Sequence, residues 1–87
     1  MATIKEAVEN ARAFAMENLD AGRSAGLQLE EVESAKVGGE KVWRITLSMI
    51  DPTVPFPLGQ KRDYEIFTVL KRNGEVISMK IRELATQ

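Results

Sequence analysis

Within the run VWRITLSMI, residues 42–50, apolar and polar residues alternate from Trp43 to Met49. Trp43, Ile45, Leu47 and Met49 fall on one side, and Arg44, Thr46 and Ser48 on the other. A period of two is the signature of a strand, and this strand has one greasy face and one wet one. It therefore belongs to a sheet covered on one side only. The cover must come from elsewhere in the chain, and residues 3–20 can supply it. Ile4, Ala7, Val8, Ala11, Phe14, Ala15 and Asn18 follow the three-four spacing of one helical face, with Lys5, Glu9, Arg12, Glu17 and Asp20 largely away from it. Thr3 followed by Glu6 reads as a capping box at the helix start. Gly22 stands where a helix of this length would terminate.

Three further strands are expected around the first, giving about 27–36, 41–50, 62–71 and 75–84. In LQLEEVES the phase breaks: Leu27 and Leu29 share a parity that Val32 does not. A β-bulge near Glu30–Glu31 restores it, because one extra residue flips the side-chain direction. Gly38–Gly39 reads as the turn between the first two strands. Asn73–Gly74, between two alternating runs, is a strong hairpin signal. A two-residue turn there pairs Leu70 with Ile77, Thr68 with Met79 and Ile66 with Ile81 as the apolar face. A three-residue turn brings Phe67 and Val69 into the core instead. The shorter turn is the one expected here. The fold class that follows is α+β: one N-terminal helix packed across a four-stranded antiparallel meander.

Composition agrees with one small folded unit. The 87 residues are 44% hydrophobic and 29% charged, too short for two cores and too apolar for disorder. Twelve basic residues against thirteen acidic ones leave a net charge of −1, so nothing points to nucleic acid as a partner. The first residues carry charges every few positions and lack the apolar run of a leader or membrane anchor, so a cytoplasmic location and no membrane partner are expected.

The helix EAVENARAFA, the strand VWRITL and the closing YEIFTV…NGEVISMKI together resemble the PepSY-like and broader cystatin-like group of small α+β domains. The resemblance spans most of the chain and rests on hydrophobic pattern and turn chemistry. It implies an α-β-β-β-β order and an inhibitory or regulatory binding role. Cystatins carry Gln-x-Val-x-Gly on their first hairpin. Here AKVGG has Val37 and Gly39 at the right spacing but Ala35 in place of the glutamine, which argues against cystatin-type inhibition.

Catalytic chemistry has little to work with. The chain has no His and no Cys, which removes the usual general base, thiol nucleophile and soft metal ligands. Ser24, Ser34, Ser48 and Ser78 lie in no nucleophile elbow, and GG alone makes no phosphate loop. Glu30, Glu31 and Glu33 form the densest acidic cluster, but successive strand residues point to opposite faces, so a solvated strand is expected and no metal or cofactor. The expected function is a non-catalytic protein-binding or inhibitory or regulatory module, with a small-ligand-binding or enzymatic domain using a pocket between helix and sheet as the alternative. Partner contacts are expected from two places. One is the sheet's open face, where Phe67, Val69 and Val76 would make an apolar patch for a partner or for self-association. The other is IDPTVPFPLGQ, residues 50–60, which holds all three prolines. Its stiff, extended path either plugs the core, chiefly through Val54, or presents Phe56 and Leu58 as anchors.

Overall fold

In a computed structural model of the chain, which describes residues 1–19, 26–50 and 62–81, one helix lies on one face of a four-stranded antiparallel sheet. The helix α1 spans Ile4–Asn18. The strands β1 (Gln28–Val37), β2 (Glu40–Ile50), β3 (Arg62–Leu70) and β4 (Val76–Ile81) are adjacent in chain order. The proline loop, Gly22 and the strand positions expected beyond Ile81 lie outside the described residues.

The helix starts as its sequence requires. The Thr3 hydroxyl accepts a hydrogen bond from the Glu6 backbone N–H at 3.1 Å, and the Thr3 N–H donates to the Glu6 carboxylate at 2.9 Å. These reciprocal bonds satisfy donors that have no helical partner. They also hold the Glu6 carboxyl below the usual glutamate range, through the backbone bond first and the hydroxyl second. Ala7, Ala11 and Ala15 are fully buried, and such small side chains let the helix sit close to the sheet. Ile4, expected on the same stripe, is 47% exposed at the helix's first turn.

Beneath the alanines lie Ile45, Leu47 and Met49 of β2 with Phe67 and Val69 of β3, all without solvent exposure. Phe14 meets Phe67 edge to face, with ring centroids 6.3 Å apart. Trp43 leads this face and is half-buried; its indole N–H donates to the Ala2 carbonyl at 3.3 Å, and the Lys71 ammonium lies 4.0 Å from the ring centroid.

The first hairpin turns at Gly38–Gly39, both at positive φ, which is the backbone twist that a two-residue connection needs. The bulge in β1 falls at Glu30, between the pairs Leu29–Leu47 and Glu31–Thr46. The last hairpin corrects the sequence reading. Residues Lys71 to Gly74 form the connection, closed by the Leu70 N–H donating to the Glu75 carbonyl at 2.9 Å. Val69 pairs with Val76, and then Ile77 is skipped so that Thr68 faces Ser78 and Phe67 faces Met79. This is the parity of the alternative register. It arises because β3 pairs with β2 as Ile45–Phe67 and Trp43–Val69, which seats the large Phe67 ring against the helix. Phe67 and Val69 are thus core residues, and Ile66, Thr68 and Leu70 go to the open face. The loop's own geometry is closed against the helix: Asn10 Nδ2 donates to the Gly74 carbonyl at 2.8 Å. A Cβ on Gly74 would stand 2.9 Å from that nitrogen, and Gly74 has φ +78°, so only glycine suits this position.

Candidate functional site

The helix covers one face of the sheet, and among the described residues no second element covers the other. The registers set the open face in rows. Glu31, Thr46, Ile66 and Lys80 stand in line across the four strands, and Glu33, Arg44, Thr68 and Ser78 form the next line. Together with Val37 and Ile77 these residues enclose a groove of about 430 Å³. Its floor is short: Thr46 and Thr68 are buried there, and Ser78 is half-buried. Its rim is long and charged, with two carboxylates on β1 and cations on β2 and β4. Val37 and Ile77 add exposed apolar surface at one end.

The bulge contributes directly to this face. Glu30 and Glu31 were expected on opposite sides of the sheet, but the extra residue brings both to the open one. The Glu30 carboxylate accepts a 2.7 Å bond from the Ser48 hydroxyl, and Glu31 stands beside Thr46. Ser48 is fully buried, and its hydroxyl also accepts from the Arg62 guanidinium at 2.9 Å. A second nitrogen of Arg62 reaches the Gly26 carbonyl at 2.6 Å. Glu30, Ser48 and Arg62 therefore tie β1, β2 and β3 together at the end of the groove. Every buried side-chain nitrogen and oxygen among the described residues has a partner.

The sites expected from sequence are dispersed. Phe67 and Val69 are sealed in the core, and Val76 packs against it half-buried, so the expected apolar patch is not on the open face. Phe56 and Leu58 lie outside the described residues. The groove residues were missed because the shorter hairpin turn assigns Ile66 and Thr68 to the core. Only the β2–β3 pairing, which joins segments far apart in the chain, reverses that assignment.

Reactive geometry is sparse around these residues. Ser34 and Lys71 make one serine–lysine contact, with the ammonium donating to the hydroxyl at 2.6 Å. The same ammonium lies over the Trp43 ring, a contact that uses lysine as a cation, where activation of a serine would require a free amine. That cluster reads as a structural clasp between β1, β2 and the last loop. Among the described residues no three His, Cys, Asp or Glu side chains converge as a metal site would require, and no helix is long and apolar enough to cross a membrane. No family model, no characterised protein and no solved structure matches this chain.

Proposed function

We propose that the domain is a non-catalytic binding module that recognises a protein surface with the open face of its sheet. The observation that carries the reading is the groove itself: a short hydroxyl-bearing floor, a rim of both charge signs and exposed Val37 and Ile77 at one end. Recognition surfaces combine apolar contact with polar groups that fix orientation, and this face holds both on a rigid sheet. The inhibitory or regulatory role implied by the PepSY-like and cystatin-like resemblance is the kind of activity such a face would serve. A groove of this volume also suits a small ligand, the second reading, although its openness along the strands favours an extended or flat partner.

The test uses the whole chain immobilised and exposed to an extract of its native host. A specifically retained protein, copies of this chain included, should be lost when Val37→Asp and Ile77→Asp are introduced together. Both positions are exposed, so the fold should tolerate the change. A partner retained equally by the doubly substituted chain places the binding surface elsewhere, and a chain that retains no protein overturns the reading.

A further inference from the structure

We infer that the partner of the open face is a second copy of the same chain, docked sheet to sheet about a two-fold axis parallel to the strands. This rests on the reading of that face as a protein-binding surface and adds the identity of what it binds. An axis along the strands, lying between two facing sheets, turns β1 over β4 of the second copy and β2 over β3 of the second copy. Residues in one row then meet residues of the same row.

The rows are complementary under that operation. Glu31 meets Lys80 of the second copy, and by symmetry Lys80 meets Glu31 of the second copy, so opposite charges face each other twice. Thr46 meets Ile66 of the second copy, and Thr68 meets Arg44 of the second copy. At Thr46 and Thr68 a short side chain on one sheet receives a long one from the other, which fills the groove without two large groups colliding. The alternative axis, running across the strands, sets β1 on β1 and brings acidic Glu31 and Glu33 toward a copy of the same strand. Like charges in contact disfavour that arrangement. Aligned sheets pack within about 30° of each other, so the correspondence holds best in the central rows, where these residues stand.

The size of the face sets the strength. Four strands about 4.8 Å apart make it about 19 Å wide, which gives an interface at the small, transient end of specific contacts. The dimer should therefore be weak, with an affinity on the order of micromolar to millimolar.

Sedimentation velocity of the whole chain from about 1 μM to about 1 mM, a span around that expected affinity, reads the equilibrium directly. The wild-type chain should move from monomer to dimer. Glu31→Lys and Lys80→Glu should each weaken self-association by roughly tenfold or more, because each sets like charges together twice. An equimolar mixture of the two variants should form a mixed dimer, since both contacts then pair opposite charges. Ser78→Arg should tighten the dimer by placing a cation against Glu33 of the second copy. Glu31 also has an interaction within its own chain, so thermal melts of each variant should accompany the measurement. If one charge variant fails to fold, the wild-type series and Ser78→Arg still decide. A wild-type chain that stays monomeric to about 1 mM, the upper end of the range set by that affinity, overturns the inference. So do single variants that dimerise as wild type does, or a mixture of folded variants that does not associate. A monomeric chain whose capture of another protein is abolished by Val37→Asp with Ile77→Asp would overturn the dimer and leave the binding face intact.

Discussion

Phe67 is the residue on which the two halves of the core meet. Its ring packs edge to face on Phe14 of the helix, pairs with Ile45 across one neighbouring strand and with Met79 across the other, and has no exposure. Truncating such a ring removes its buried area and leaves a cavity that its neighbours fill only in part. Phe67→Ala should therefore destabilise the fold by about 3 kcal/mol or more. Chemical denaturation at neutral pH measures it, and a loss comparable to that of a surface substitution would return Phe67 to the open face. The residue also marks where local sequence loses its power to inform. Glu65 and Phe67 alternate with Ile66 and Thr68, so each parity offers apolar candidates. One of them had to take an acidic residue inward, and Glu65 is 5% exposed on the core side, where it keeps an interaction.

At the scale of elements, features specified by near neighbours were legible and those specified across the sheet were not. The capping box, the alanine stripe, the bulge at Glu30 and the diglycine turn each follow from a few adjacent residues. The β3–β4 register depends on the β2–β3 pairing and on a second irregularity at Ile77. A change of one residue in either sends every side chain to the other face. The groove, built from that face, was hidden with it. The helix supplies the prediction at this scale. Glu6 releases its proton more readily in the folded chain than in the unfolded one, because Thr3 donates hydrogen bonds to its charged form. Its contribution is thus fully present above the ordinary glutamate value of about 4.3 and is lost as the pH falls through the lower folded value. Thr3→Ala should cost about 1 kcal/mol near neutral pH. The difference in melting temperature between this variant and wild type should narrow as the pH falls below the ordinary glutamate value of about 4.3 and through the lower folded value, as the carboxyl of the capping box takes up its proton. A gap independent of pH would separate the threonine's effect from the glutamate's.

The whole molecule is a sheet with unequal margins. β2 and β3 are paired on both sides, and their helix-facing residues from Ile45 to Met49 and from Glu65 to Val69 are buried. Almost all of β1 is exposed or half-buried. Amides of β2 and β3 should exchange with solvent only on global unfolding, and outward-facing amides of β1 should exchange orders of magnitude faster. Native-state hydrogen exchange reads both, and uniform protection across the sheet would mean that a partner pairs along β1. That same margin carries a hazard which the bulge defuses. A ten-residue strand that pairs on one side only among the described residues is a template onto which another chain's strand can be added, and repeated addition makes fibrils. Glu30 interrupts the template after Leu29, which shortens the regular ladder to the seven residues Glu31–Val37. Glu31, Glu33 and Lys36 add charges along the remainder that a stacked copy would have to bury or oppose. Removing the extra residue at position 30 should thus lengthen the regular ladder along this rim and lower solubility, which the turbidity of concentrated solutions would measure.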